Sequence, residues 1–296
     1  MFKNFSSEAL EVSVRDSEII ELTLSNGFKG LDLDLADFAE QVATQGMARA
    51  SRLVVSSRLK IGSFRLPVRW EEDEAHYKTD LEKLPDLAKI AEQMGCTRAT
   101  TTIEAGSDQR PYHENFEYHR RRLAEIAGVL APHKIRLGVG FLAPISCRAG
   151  HAFQFLQKFD ELMLLLRTVG PTNVGVALDA WHWHLGGGTL DHLQALTADK
   201  IVTVSLADAD PEATAENATL EGRRLPGDGG AIDSTAILAT LAELNYDGPV
   251  SASPDKSQFA GLSRDKIVKK TGAALDHVWK AAGLNVAGRL AAVSGR

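Results

Sequence analysis

The stretch "IRLGVGFLAPISCRAGHAFQFLQKFDELMLLLRTVGPTNVGVALD", Ile135 to Asp179, decides how the chain is read. "IRLGVGF" (135–141) is a short apolar run with β-branched residues, as a buried strand requires. "FQFLQKFDELMLLLRTVG" (153–170) reads as a helix, and "NVGVALD" (173–179) as a second strand that ends on an aspartate. Two strands joined through a helix run parallel. Gly140 is the odd residue. A strand interior prefers a side chain that packs, and glycine there marks a bulge or a close approach.

The same alternation extends outward in both directions. Upstream, strands are expected at Leu10–Val14 ("LEVSV"), at "GLDLD" (30–34), at "IGSFRLPV" (61–68) and at "TRATTTI" (97–103). The helices between them cover "SEIIELTLSNG", about 37–57, "YKTDLEKLPDLAKIAEQMG" and about 115–130. Downstream come the helix "TLDHLQALTA", the strand "KIVTVSLAD", the helix "DSTAILATLAELNYDG" capped by Asp233, and the strand "PVSAS". A helix over about 262–282 follows. Eight strand–helix units predict an α/β fold, a (β/α)8 TIM barrel. It would be one domain over 1–296, with the barrel at about 8–256 and a C-terminal helical extension at about 257–296. The competing fold, a doubly wound open sheet, needs a glycine-rich phosphate turn. "LGGGT" (185–189) lacks that spacing and has no lysine after it, so it reads as a flexible loop.

The 296 residues are 44% hydrophobic and 24% charged, enough for a large core, with a net charge of −6. That charge argues against nucleic acid as a partner, because binding phosphates needs a basic face. Cys96 and Cys147 are too few and too distant for a disulfide scaffold, and read as reduced thiols. No signal-peptide-like or membrane-spanning apolar run is seen, so the expectation is a cytoplasmic protein with no membrane partner. The long helices and the C-terminal helix offer surfaces for a homodimer.

In such a barrel, function collects at the C-terminal ends of the strands. That rule selects Arg65, Arg69, Glu104, Gly140, Phe141, Asp179, His182, His184, Ser205, Asp208, Ser253 and Asp255. "LDAWHWH" (178–184) is the richest segment. Asp179 with His182 and His184 suits either a divalent metal or a proton-transfer set, or the aspartate simply caps the following turn. "GRRLPGDGG" (222–230) sets two guanidinium groups before a Pro-Gly turn, either as an anion site or as a solvated turn. His113 and His119 read as residues of a surface helix start.

Together "FRLPVRW" (64–70), "LDAWHWH", "RRLPGDGGAID" (223–233) and "NYDGPVS" (245–251) resemble the sugar phosphate isomerase/epimerase family with a xylose-isomerase-like barrel, over nearly the whole chain. The resemblance implies a divalent ion such as Mn²⁺, Mg²⁺, Co²⁺ or Zn²⁺, held by Glu, Asp, His and Glu from four strand ends. Carried over position by position, the Asp is kept as Asp179. The first Glu falls on Gly140, the His on Ser205 of "VSLAD", and the last Glu on Ser253 of "PVSASP". Asp208, His182 and Arg223 are kept. Gly140 therefore reads as a lost carboxylate, and no metal cofactor is expected.

Two functions are carried forward. One is an isomerase or epimerase acting on a small sugar, polyol or keto-sugar without the usual metal, with Asp179, His182, His184 and Asp208 as catalytic candidates and Arg65, Arg223 and Trp181 as substrate-binding candidates. The other is an inactive homologue that binds or senses a small sugar-like ligand. An endonuclease acting on abasic DNA, which shares the architecture, needs more metal ligands and a basic face, and is set aside.

Overall fold

The computed structural model describes residues 1–12 and 16–291. Its main sheet is entirely parallel and carries the strands β1 (Phe2–Phe5), β2 (Gly30–Leu31), β3 (Lys60–Ile61 and Phe64–Arg65), β4 (Arg98–Ile103), β5 (Arg136–Phe141), β6 (Val174–Asp179), β7 (Ile201–Leu206) and β8 (Pro249–Ala252). Neighbours pair in the order β3-β2-β1-β8-β7-β6-β5-β4-β3. The two ends of this ladder are the two halves of β3, separated only by Gly62 and Ser63, so the sheet closes on itself as an eight-stranded TIM barrel. The expected fold class is the one observed.

Period-two alternation divides the work of each strand. Leu137 and Val139 on β5, Val176 and Leu178 on β6, and Val204 and Leu206 on β7 are buried. They belong to the one large core that includes Leu84, Leu123, Ile126, Leu165, Leu238 and Leu275 of the surrounding helices. The alternate residues are small or hydroxylated: Thr100 pairs with Gly138, Thr102 with Gly140, and Ser205 with Asp179 and Ser251. Barrels usually fill this interior with branched aliphatic side chains. Here a cavity of about 1310 Å³ opens instead, and its walls reach from the strand ends down to Thr203 and Pro249.

The helices are α1 (Asp16–Ser25), α2 (Leu35–Gln45), α3 (Met47–Ala50), α4 (Arg52–Ser57), α5 (Glu74–Gln93), α6 (Tyr112–Leu130), α7 (Phe159–Val169), α8 (Ala180–Leu185), α9 (Leu190–Gln194), α10 (Ser234–Glu243) and α11 (Arg264–Ala281). The single helix expected over 37–57 is three pieces, broken first at Gly46, whose φ is +81°. The C-terminal helix α11 packs on α10, α1 and β8 and buries Val268, Leu275 and Trp279. It completes the outer ring rather than extending from it.

The first strand is corrected. It is Phe2–Phe5, held between β2 and β8, and not Leu10–Val14. "LEVSV" alternates like a strand, but Glu11 has φ +49° and Val12 N–H returns to Ser7 O, which makes a turn. Residues 13 and 14 of that stretch lie outside the described residues. The helix expected from Phe153 starts at Phe159, because Phe153–Gln154 pairs antiparallel with Gly106–Ser107 over the barrel mouth. Among the described residues, no helix is long and apolar enough to cross a membrane.

Candidate active site

Asp179 ends β6 and caps α8. Its Oδ1 accepts the N–H groups of Trp181 (3.0 Å) and His182 (3.1 Å), two of the donors a helix start leaves unpaired. This fixes the carboxylate and leaves Oδ2 for Arg223, whose Nη2 is 2.5 Å away. The same Nη2 lies 2.5 Å from Ser253 Oγ, and Arg223 Nε donates to Ser253 O at 2.8 Å. The pair is well shielded, with side-chain exposures of 24% for Asp179 and 11% for Arg223. Burial alone would raise the Asp179 carboxyl, but the Arg223 charge, the neighbouring His182 ring and the hydrogen bonds from Arg223 and the His182 N–H together outweigh it and hold the pKa below the usual carboxylate value.

His182 is buried, and its Nδ1 accepts the Ala143 N–H at 3.2 Å. An accepting Nδ1 places the proton of the neutral ring on Nε2. Burial pushes the imidazole pKa down to about 4, against the opposing pull of Asp179. The ring lines the cavity as a neutral donor.

The remaining candidates separate by position. Arg223 and Arg65 line the cavity with Asp179 and His182, Arg65 at the rim, where it is 77% exposed and paired with Glu8 at 2.8 Å. Trp181, His184 and Asp208 are not on the cavity wall. Trp181 is completely buried, and the Arg223 guanidinium lies 5.3 Å from its ring centroid, so it supports the arginine from behind. His184 is partly buried, and its pKa is lowered by burial. Asp208 is fully buried and accepts five backbone N–H groups, from Ala209, Gly229, Gly230, Ala231 and Ile232. A carboxylate so occupied holds the Pro-Gly loop in place and has no free lone pair for substrate. His119 is buried beside Trp70 and Phe155 rather than on the surface.

The sequence reading passed over several acidic residues of the cavity wall, Glu8, Asp32 and Asp34 among them. Asp32, just past β2, lines the wall, and its Oδ1 accepts from Asn4 Nδ2 (2.9 Å), Ser63 N (3.0 Å) and Ser63 Oγ (2.9 Å). Burial raises its pKa, against hydrogen bonds from Ser6, Ser63 and Asn4 that pull the other way. The signal was present in "GLDLD", an acid at a strand's C-terminal end.

A family model described as xylose isomerase-like TIM barrel matches residues 20–276. The chain belongs to the xylose isomerase-like TIM barrel family. Within it, this chain is 24% identical over 200 residues to the inosose isomerase of Bacillus licheniformis, covering 67% of this chain and 68% of that one. It is 26% identical over 147 residues to the inosose isomerase of Halalkalibacterium halodurans, covering 50% and 49%. The matches thus span between about half and two thirds of these curated relatives. Among solved structures, a xylose isomerase domain protein of Alicyclobacillus acidocaldarius superposes with a TM-score of 0.85 at 22% identity, covering 95% and 98% of the two chains. The IolI protein, solved with a bound zinc atom, superposes with a TM-score of 0.78 at 18% identity, covering 95% and 99%. These likenesses establish the fold.

The side chains of this xylose isomerase-like barrel do not fit the four-ligand ion that the family resemblance implies. Gly140, Ser205 and Ser253 all line the cavity with Asp179, so the four positions do converge. One of the four is ionisable. Among the described residues, no group of three or more His, Cys, Asp and Glu is assembled for an ion. Asp179 already serves two amides and a guanidinium. Packing does not demand the glycine at 140: a Cβ there would meet nothing nearer than Thr102 Oγ1 at 3.4 Å. At Gly138, by contrast, a Cβ would lie 2.9 Å from Val202 Cβ, and at Gly175 it would lie 2.4 Å from Lys200 O.

Proposed function

We propose that this barrel is an isomerase or epimerase for a small sugar, polyol or keto-sugar, and that it works without the divalent metal typical of its family. The observation that carries the reading is the Arg223 guanidinium clasped between Asp179 and Ser253. Asp179, the one retained ligand, has its Oδ2 taken up by this fixed cation. An enolate oxygen needs positive charge or preorganised donors aimed at it. Arg223 and the Nε2–H of His182 supply both without ionisable metal ligands. The cavity suits a polyhydroxylated ligand, since ten of its lining residues are serine or threonine. Its volume of about 1310 Å³ exceeds what a single small sugar fills. Low identity to inosose isomerases supports the substrate class and not the individual substrate.

The test is metal content and proton exchange on one preparation. Protein purified without chelator is expected to carry well under one metal ion per chain and to exchange a carbon-bound proton of inosose, or of a panel of ketoses, with D₂O. One Zn or Mn per chain, lost in Asp179→Ala, overturns the metal-free reading. Saturable binding without exchange across the panel overturns the enzymatic reading in favour of a small-molecule binding protein.

A further inference from the structure

We propose that Asp32 is the general base of this barrel, removing a carbon-bound proton from the ligand while His182 holds the carbonyl oxygen from the opposite wall. The inference rests on the isomerase reading above and names the group that does its chemistry. Asp32 follows β2, and His182 follows β6. Four steps around an eight-stranded ring set these ends across the mouth from each other, and both side chains line the same cavity. A ligand seated there lies between a carboxylate and a neutral imidazole donor.

Of the other carboxylates of the wall, Asp34 is exposed and accepts the Asp37 N–H as the cap of α2, Glu71 accepts the Glu104 N–H, and four are ion-paired. Asp179 is bound to Arg223, Glu8 to Arg65, Glu11 to Lys256 and Glu72 to Arg69. Among the described residues, no cation lies within ion-pair distance of Asp32. Its Oδ1 is fixed from below by Asn4 and Ser63, and Asn4 is in turn anchored to Ser251 Oγ at 3.0 Å. The carboxylate is thus oriented by neutral donors without being neutralised. Asp32 and Asp179 sit in environments that drive their pKa values apart, upward for Asp32 and downward for Asp179. The more basic member of such a pair is the one suited to taking a proton. Glu104 is also raised, by burial and then by Glu71, but it stands exposed at the rim.

The step balances within the ligand. Asp32 takes the proton from the carbon bearing a hydroxyl next to the carbonyl. The C–H electron pair becomes the double bond of an enediolate, and the carbonyl π pair moves to oxygen, which accepts a hydrogen bond from His182 Nε2–H. The hydroxyl proton crosses to the neighbouring oxygen. The carboxyl of Asp32 then returns its proton to the former carbonyl carbon, giving the isomeric carbonyl compound with no oxidant or reductant.

The experiment follows exchange of carbon-bound protons of inosose, hydroxypyruvate and a ketose panel with D₂O by NMR, for the wild type, Asp32→Asn, Asp32→Ala and Glu104→Gln. Asp32→Asn keeps an acceptor for Asn4 and Ser63, and is expected to keep the wild-type melting temperature and ligand affinity while exchange falls about 10²- to 10⁴-fold. Added formate is expected to restore part of the exchange in Asp32→Ala, a response a merely structural carboxylate would not give. Glu104→Gln is expected to stay within about threefold of wild type, a margin below the tenfold that 1.4 kcal/mol would produce. Exchange that persists in Asp32→Asn, or is lost in Glu104→Gln instead, overturns the assignment and leaves the isomerase reading standing. Absence of exchange in the wild type overturns both.

Discussion

Arg223 Nη2 lies 2.5 Å from both Asp179 Oδ2 and Ser253 Oγ, so one guanidinium nitrogen joins the end of β6 to the end of β8. Breaking a shielded pair by removing one partner is costly because the other charge is left buried. Arg223→Ala is therefore expected to lower the free energy of unfolding by about 3 kcal/mol. Arg223→Lys, which keeps the charge but cannot span Asp179 and both oxygens of Ser253, should cost less. Denaturant midpoints of the two variants check the order, and equal losses would show that charge has no part in it.

Rebuilding the missing ligands should rebuild an ion site. Gly140 has room for a Cβ, and Ser205 and Ser253 face the same cavity as Asp179. A chain carrying Gly140→Glu, Ser205→His, Ser253→Glu and Arg223→Ala is expected to bind Zn²⁺ or Mn²⁺ at least about 100-fold more tightly than wild type, since even a supporting group is worth about 10–100-fold. Calorimetric titration of folded protein reads this directly. Equal affinities would mean that the four positions do not converge as described.

Asp208 makes the opposite kind of prediction from Asp32. Its five amide donors are buried with it, so Asp208→Ala strands them and is expected to cost at least about 3 kcal/mol in stability. Asp208→Asn should be only partly better, because an amide group has one acceptor where the carboxylate has two. At temperatures where the variants remain folded, hydrogen exchange at Gly229 and Gly230 should accelerate. Ligand binding should weaken only through Arg223, which lies in the same loop.

Acid should destabilise the protein through His182. Its folded pKa is depressed to about 4, below the ordinary imidazole value of 6.5 expected once unfolded. The unfolded chain then binds more protons between these values, so stability falls as pH drops from about 6.5 to 4. The full contribution is about 3 kcal/mol at pH 7 relative to pH below 4. Asp32 contributes the reverse slope: its raised pKa makes the folded state hold a proton longer, and that stability is lost as pH rises through the folded value. Unfolding midpoints from pH 4 to 7 should therefore be flatter in His182→Gln than in wild type, and identical curves would show the ring titrating normally.

Much of the barrel was legible in the order of residues. Alternation of apolar strands with amphipathic helices is a local property, and it located seven of the eight strands, from "GLDLD" to "PVSAS". It failed at "LEVSV", where the pattern of a strand is present but Glu11 turns the backbone and the paired edge belongs to Phe2–Phe5. No residue in that segment announces which of two short apolar runs the neighbouring strands will accept.

The amino-acid order by itself determined the strand–helix repeat, the family motifs, and that Gly140, Ser205 and Ser253 bring no carboxylate or imidazole to the barrel mouth. Only the tertiary structure decided what the remaining polar residues do. Asp208 and Asp179 look alike in sequence, each an acid at a strand end. One closes on five amides, and the other on a guanidinium from 44 positions away. Asp32 becomes notable only because the ring closes and sets β2 across from β6. Pairings at such separations depend on three-dimensional closure, which short-range periodicity does not encode.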